Sequence, residues 1–295
     1  MKKKFYAATV STFTADNHPD VDSMAAIADR VVSRGGDGLF ILGTMGEWNQ
    51  LSAAESEAMI SGVAAALVGR GELLAGISGT GLDFTLQNLE RASRYECAAY
   101  VVVLPPVRMS QLPPVEYLRT VMDHADRPVY YYHAPMNNGI TLSENDFSML
   151  AEHPRFAGVK NSAGEMVLRK RLLRLRNRYG FSLFEGNEWA VDEALILGCD
   201  GVVCGIGALT PAGVIEIVRA VEAGEYERAM EVQMELTRVF EAVYGCRSWI
   251  GEKYALKRLG VIADCRCRIQ PESMLTADHR ARIERCLEEH AWIFA

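Results

Sequence analysis

Short apolar runs alternate with amphipathic segments along most of this 295-residue sequence. Eight of the runs are continuously apolar, which is typical of parallel strands that are buried on both faces. The pattern predicts strands at Phe5–Val10, Gly38–Leu42, Leu73–Ile77, Tyr100–Leu104, Pro128–Tyr132, Phe156–Lys160, Phe181–Phe184 and Asp200–Val203.

The segments between these runs repeat apolar residues at helical spacing. Ser52 stands three residues ahead of Glu55, as in a capping box, and Pro211 suits the first turn of a helix. Helices are predicted at Val21–Ser33, Ala53–Val68, Phe84–Tyr95, Pro114–His124, Glu144–Ala151, Glu165–Arg178, Glu188–Leu197 and Pro211–Glu222.

Eight strand–helix units within residues 1–225 predict an α/β fold, a (β/α)8 TIM barrel. A doubly wound open sheet is the alternative, although it usually has fewer units. Residues 226–295 have no convincing strand and predict helices at 226–244, 250–259 and 271–290. We therefore expect a barrel over residues 1–225 and an integral C-terminal helical region over residues 226–295.

Composition excludes several classes of protein. Charged residues make up 23% and the net charge is −7, which argues against an electrostatic nucleic-acid binder. No apolar stretch approaches the roughly 18–20 residues of a membrane span. The basic start is not followed by a small-residue cleavage pattern, so we expect a cytoplasmic protein. The closely spaced Cys265 and Cys267 have no histidine near them, so no metal site is predicted.

Lys160 and Tyr132 are the two chemically notable residues at predicted strand ends, where barrel enzymes carry their chemistry. Burial at such a position lowers the pKa of a lysine, and a neutral amine attacks carbonyl carbons. A tyrosine hydroxyl on the neighbouring strand can shuttle a proton. The alternatives are a lysine that reaches solvent or pairs with a carboxylate, and a tyrosine that only packs. Strand alternation places Tyr130 and Tyr132 on one face and Tyr131 on the other.

Several segments together resemble the dihydrodipicolinate synthase / N-acetylneuraminate lyase family of class I, Schiff-base aldolases. The resemblance covers most of the chain. It rests on "GGDGLFILGTMGEWNQLSAAE", "YYHAP", "GVKNSAG", "FEGNE", "GCDGVVCGIGALTP" and "KYALKRLG".

The resemblance implies a TIM barrel that assembles as a homotetramer and uses no cofactor. It implies that Lys160 forms a Schiff base with a small 2-oxo acid, typically pyruvate, and that Tyr132 shuttles protons. Thr44 would orient the Tyr132 hydroxyl. The backbone around Thr44 and Met45 would bind the substrate carboxylate, and the Val203 carbonyl would face the keto acid.

Three positions depart from the family pattern. Asn137 stands where dihydrodipicolinate synthases usually carry an arginine that binds the second substrate's carboxylate, so we treat Asn137 as a substrate-binding candidate. The segment "LPPVRMSQ" lacks the tyrosine that those enzymes lend across a subunit interface. Arg108 in that segment either contacts an acidic substrate or is a solvated loop residue. Met45 replaces the usual second threonine.

These departures argue against lysine biosynthesis and fit a sialic acid lyase poorly. The function that we favour is reversible cleavage of a 2-keto-3-deoxy (sugar) acid to pyruvate and an aldehyde. The same lysine would also serve a keto-deoxy sugar acid dehydratase or a dihydrodipicolinate synthase-like condensation. A noncatalytic keto-acid-binding barrel is the alternative from a different class. A metal-dependent aldolase is disfavoured because the six histidines form no ligand spacing.

Overall fold

The computed structural model describes residues 2–106, 112–245 and 248–295. Neighbouring strands pair in parallel throughout, and the last strand pairs with the first. The sheet therefore closes into a barrel, which confirms the predicted (β/α)8 fold and excludes an open sheet. The strands are β1 (Lys4–Ala8), β2 (Gly38–Ile41), β3 (Glu72–Gly76), β4 (Ala99–Val103), β5 (Val129–His133), β6 (Phe156–Asn161), β7 (Ser182–Glu185) and β8 (Gly201–Cys204).

The helices cover the outside of the barrel and continue beyond it. They are α1 (Val21–Ser33), α2 (Ala53–Leu67), α3 (Leu82–Ala92), α4 (Pro114–His124), α5 (Pro135–Asn138), α6 (Glu144–Ala151), α7 (Met166–Tyr179), α8 (Val191–Ile196), α9 (Pro211–Ala223), α10 (Tyr226–Tyr244), α11 (Ser248–Arg258) and α12 (Ala277–Glu289). Within the described ranges, no helix has the length and apolar character needed to cross a membrane.

Most predicted helices lie within three residues of the observed ends, and the start signals are confirmed. Ser52 and Glu55 form the capping box of α2, and Pro211 opens α9. The helix predicted from residue 271 begins instead at Ala277, because Thr276 caps it and a 3-10 turn precedes it.

Two apolar layers hold the barrel together. The inner layer fills the barrel and includes Tyr6, Phe40, Tyr132 and Phe184. The outer layer lies between strands and helices and includes Tyr131. Strand alternation is thus confirmed, since Tyr132 faces inward and Tyr131 outward. Because all strands run in one direction, their carboxyl ends meet at one mouth of the barrel.

The C-terminal helices pack directly on the barrel. Helix α10 contacts α8, α9, α11 and α12. The buried Arg30 on α1 donates hydrogen bonds to the carbonyls of Leu209 and Phe294, the second residue lying near the end of the chain. The helical region is therefore integral to the fold, whereas the division at residue 225 stays a prediction.

Candidate active site

A cavity of about 430 Å³ opens at the carboxyl ends of the strands. Five of the six residues predicted for the site line it, namely Lys160, Tyr132, Thr44, Met45 and Asn137. Val203, the sixth, does not line it. Its side chain is buried in the inner layer of the barrel beside those of Phe40 and Tyr132. The remaining lining includes Thr9, Phe40, Met136, Ser162, Asn187, Glu188, Trp189, Phe240, Tyr244 and Trp249.

Lys160 lies near the end of β6 and is only 5% exposed. Its Nζ is 4.0 Å from the centroid of the Tyr132 ring and 4.9 Å from that of Phe40. No hydrogen bond or ion pair joins the amine to another described residue. An attack on a carbonyl carbon would therefore break no hydrogen bond and no ion pair with the described residues.

Gly186 makes room for the lysine. A Cβ at this position would lie 2.8 Å from Lys160 Cε and 2.2 Å from Ser162 Oγ. Any larger residue would displace one of these side chains.

Tyr132 is the register partner of Lys160 on the adjacent strand. Its ring packs edge-on against Phe40, with centroids 6.1 Å apart. No described residue forms a hydrogen bond with its hydroxyl. Thr44, expected to orient this hydroxyl, instead accepts a hydrogen bond at Oγ1 from Asn137 Nδ2, at 3.0 Å. The role of Thr44 toward Tyr132 stays a prediction.

The turn after β2 presents free backbone donors to the cavity. The N–H groups of Thr44 and Met45 make no backbone hydrogen bond within the described chain. The turn is flanked by two non-glycine residues with positive φ, Leu42 at 56° and Glu47 at 52°. Such backbone conformations cost about 1–3 kcal/mol each and cluster at functional sites. Gly46 is required because a Cβ there would lie 2.8 Å from the Leu42 nitrogen.

The side chain of Glu47 holds this turn in place, a role that the sequence did not reveal. Its side chain is fully buried and forms an ion pair with the equally buried Lys253 of α11. The carboxylate also accepts hydrogen bonds from the N–H groups of Arg268 and Ile269, at 2.7 and 3.0 Å. Glu47 therefore ties the turn to the C-terminal helical region and is not available to a substrate.

A second buried ion pair supports the turn after β7. Glu185 accepts a hydrogen bond from Arg169 Nε at 2.7 Å. It also accepts from the N–H groups of Gly186 and Asn187, at 3.1 and 3.0 Å. This pair holds the backbone that presents Gly186 and Glu188 to the cavity.

Glu188 is a cavity residue that sequence reasoning missed. Its Oε1 accepts a hydrogen bond from the Gly205 N–H at 2.6 Å. Burial raises the pKa of this carboxyl, while the nearby Lys160 opposes the rise. Its place three residues after β7, in the "FEGNE" segment, was the only sequence signal for it.

Aromatic side chains form one wall of the cavity. Trp189 packs edge-on against Phe240 at 5.0 Å, and Phe240 stacks on Tyr244 at 4.5 Å. Trp249 from α11 adds to this wall and donates from Nε1 to the Thr44 carbonyl at 3.0 Å. The C-terminal helices thus contribute directly to the candidate site, which no strand-end pattern could reveal.

A neighbouring cavity of about 510 Å³ shares Thr44, Asn137 and Trp249 with the first. The Asn137–Thr44 hydrogen bond lies between the two cavities. Arg108, considered above for contact with an acidic substrate, lies outside the described residues.

The described ranges contain no group of three or more His, Cys, Asp and Glu side chains placed to hold a metal ion. Six cysteines in these ranges are buried free thiols, and Cys267 donates to the Glu47 carboxylate.

Comparison with known proteins places this geometry in context. Residues 1–290 match the dihydrodipicolinate synthetase family. A DapA-like lyase of Halobacterium salinarum, named as uncharacterised, is 30% identical over 281 residues, 95% of this chain and 91% of its own. The 4-hydroxy-tetrahydrodipicolinate synthase 2 of Streptomyces coelicolor is 27% identical over 87% of this chain and 85% of its own.

Solved structures share the fold closely. A prophage protein of the dihydrodipicolinic acid synthase family from E. coli K12, solved in complex with pyruvate, superposes with a TM-score of 0.90. The match covers 99% of both chains at 21% identity. A dihydrodipicolinate synthase from Thermotoga maritima gives the same TM-score at 20% identity, over 99% of each chain.

Proposed function

The chain belongs to the dihydrodipicolinate synthetase family, and we propose that within it the protein cleaves a 2-keto-3-deoxy (sugar) acid reversibly to pyruvate and an aldehyde. Members of this family are lyases and synthases of the class I aldolase type, so the chain is an enzyme of that type. The observation that carries the proposal is the buried Lys160 amine, which lies against Tyr132 in the cavity without a hydrogen-bond partner among the described residues.

In the proposed reaction, the Lys160 amine attacks the C2 carbonyl of the substrate and water is lost, which leaves an iminium. Tyr132 then removes the proton of the C4 hydroxyl as the C3–C4 bond breaks. The bonding electrons pass into the C2–C3 bond, so an enamine forms and the aldehyde leaves. Protonation at C3 and hydrolysis of the iminium release pyruvate and free Lys160.

The substrate carboxylate is assigned to the turn after β2. The unpaired N–H groups of Thr44 and Met45 support this assignment, because backbone donors bind carboxylates without a cationic side chain. The Val203 carbonyl remains assigned to the keto-acid side of the barrel mouth. Thr44 is assigned to the Tyr132 hydroxyl once a substrate displaces its bond with Asn137.

The charges of the cavity favour a substrate whose aldehyde-forming half carries no charge. Among the described lining residues, Lys160 is the single cationic side chain, and Asn137 supplies an amide. Glu188 would face a carboxylate on the aldehyde half with a like charge. Hydroxyl groups, by contrast, can donate to Glu188 and pair with Asn137 or Ser162.

Borohydride trapping with pyruvate tests the Schiff base. We expect a stable adduct on Lys160, detected by mass spectrometry of the peptide, and no adduct in Lys160→Ala. Lys170 on the neighbouring helix is an internal control, since a nonspecific reaction would label it too. Absence of an adduct with any 2-oxo acid would refute the proposal.

Product analysis separates the alternatives that use the same lysine. Cleavage releases pyruvate and an aldehyde, whereas a dehydratase yields a keto acid that has lost water. A noncatalytic barrel would form the imine with pyruvate and turn over none of the keto-deoxy acids supplied.

The family resemblance is also the basis for proposing a cytoplasmic homotetramer. Light scattering on the purified protein tests the assembly, and a monomer at micromolar concentration would contradict it.

A further inference from the structure

The hydroxyl of Tyr244 reaches the cavity from the end of α10. The Tyr244 ring stacks on Phe240, and the residue lines the cavity. Its hydroxyl donates a hydrogen bond to Oε2 of an ionised Glu252 on α11. Neither Tyr244 nor Glu252 has a role in the imine chemistry proposed above. That chemistry therefore does not explain why this hydrogen-bonded pair lies at the cavity.

Tyr244 and Glu188 border the same point of the cavity. A Cβ at Gly205 would lie 3.1 Å from Tyr244 Oη and 2.9 Å from Glu188 Oε1. The two oxygens are therefore within about 6 Å of each other. Glycine at 205 keeps this space open, and Met45 Cγ borders it as well, 3.1 Å from the same point.

The Glu252 side chain is fully buried, and few hydrogen bonds offset the cost of its burial. Its Oε1 has no hydrogen-bond partner among the described residues, and Tyr244 is the only partner of Oε2 there. A buried carboxylate with one hydrogen bond is costly, and the neutral acid costs less. Burial raises the pKa of Glu252 to about 8, and the nearby Glu188 adds to the rise.

The protonation state of Glu252 sets the direction of the Tyr244 hydroxyl. A neutral Glu252 has an O–H of its own, and when this O–H donates a hydrogen bond to the Tyr244 oxygen, the tyrosine's O–H is free to point into the cavity. An ionised Glu252 would instead take the tyrosine's hydrogen bond for itself. Burial also raises the pKa of Tyr244, so the phenol stays protonated.

We propose that Tyr244, held by Glu252, donates a hydrogen bond to one hydroxyl of the aldehyde half while Glu188 accepts one from an adjacent hydroxyl. This inference rests on the proposed function and narrows its substrate class to aldehydes with neighbouring hydroxyl groups. A donor and an acceptor that border the same open space, no more than about 6 Å apart, can each bind one of two adjacent hydroxyls.

The arrangement predicts a pH dependence of selectivity. The ionisable groups around Glu252 are Tyr244, Glu188, the Cys204 thiol and Lys253, and Lys253 is already neutralised by Glu47. As pH rises through about 8, Glu252 loses its proton and the cavity loses its donor. The preference for a hydroxylated aldehyde should then fall.

The test compares two aldehydes with the same carbon skeleton in the aldol addition of pyruvate. Glyceraldehyde carries the adjacent hydroxyls and propanal carries none. We expect Tyr244→Phe to lower kcat/KM for glyceraldehyde about tenfold and to leave propanal unchanged, because one hydrogen bond to the substrate is lost. Tyr254→Phe is the matched control, because the Tyr254 hydroxyl bonds a glutamate in the same way, Glu284 at 2.6 Å, away from the cavity. Tyr254→Phe should leave kcat/KM unchanged for both aldehydes.

Glu252→Gln provides a second readout. This variant cannot ionise, so the ratio of glyceraldehyde to propanal activity should no longer fall between pH 7 and 9. A merely structural role of Glu252 would leave the pH profile of that ratio as in the wild type.

Three results would overturn the inference. They are an equal loss of both aldehydes in Tyr244→Phe, no loss of either, and an unchanged pH profile in Glu252→Gln. Pyruvate trapping on Lys160 is measured in parallel in every variant. Trapping without the expected selectivity refutes this inference alone, whereas no trapping in the wild type refutes the proposed function.

Discussion

The ion pair between Glu47 and Lys253 permits a quantitative test of how the active-site turn is held. Both side chains are fully buried. Removing one partner of a buried pair usually costs about 3–5 kcal/mol, because the other charge is left uncompensated. The two partners differ, however, in what they retain. Without the lysine, Glu47 keeps hydrogen bonds from the N–H groups of Arg268 and Ile269.

Without the glutamate, Lys253 retains one hydrogen bond, to the Arg266 carbonyl at 2.9 Å. We therefore expect Glu47→Gln to lower the free energy of unfolding by about 4 kcal/mol and Lys253→Met by about 2 kcal/mol. The double variant carries no buried charge and should be more stable than Glu47→Gln alone. Lys257→Met is the control, since Lys257 lies on the same helix in a half-exposed pair with Asp264 and should cost less than about 0.5 kcal/mol.

Urea unfolding followed by circular dichroism measures all four variants. Two comparisons of the free energy of unfolding are informative: the order of the losses in the two single variants, and the stability that the double variant regains. General effects of substitution cancel in both comparisons. If Lys253→Met were as costly as Glu47→Gln, the backbone donors would not compensate the carboxylate. If the double variant showed the sum of the single losses, the pair would not be coupled, and the reasoning would fail.

Three further predictions concern the cavity and its surroundings. Met45→Thr adds a hydroxyl beside the assigned carboxylate site, so we expect Schiff-base formation to persist with an altered apparent affinity for pyruvate; unchanged affinity would remove Met45 from the carboxylate site. Gly186→Ala places a Cβ 2.8 Å from Lys160 Cε, so borohydride trapping should fall more than tenfold, while Gly81→Ala, where a Cβ meets nothing within 4 Å, should trap normally. Glu252 has a folded pKa of about 8, above its ordinary 4.5, so it contributes stability below pH 4.5 that is lost as pH rises to 8. Glu252→Gln should gain on the order of 4 kcal/mol relative to the wild type across that window in urea unfolding, and parallel profiles would contradict the assignment.

The barrel was predictable because its signal is local and repeated. Each buried parallel strand produces a continuous apolar run, and each covering helix produces its own periodic pattern. The residues at strand ends, Lys160 and Tyr132, followed from the same reasoning, since parallel strands bring their carboxyl ends to one mouth. The distance from the Lys160 amine to the Tyr132 ring then depended only on the register of the two strands, which their pairing supplies.

The other half of the candidate site was not predictable because its contacts are distant in the sequence. Glu47 was assigned to the family's turn motif, yet its carboxylate bonds Lys253, 206 residues away. Tyr244 stands at the end of an amphipathic helix, where a tyrosine ordinarily packs. Its position in the cavity depends on how α10 crosses the mouth, and helix periodicity does not report that crossing.

The same distance of 206 residues between Glu47 and Lys253 has a consequence for how the enzyme regains activity after denaturation. Contacts so remote along the chain form late, since closing a long loop costs entropy before the contact stabilises it. Helix α11 supplies Lys253, so the turn assigned to the substrate carboxylate is held only after that helix has docked. We therefore expect pyruvate trapping on Lys160 to return only with this late contact during refolding, after the helical signal in circular dichroism has already recovered.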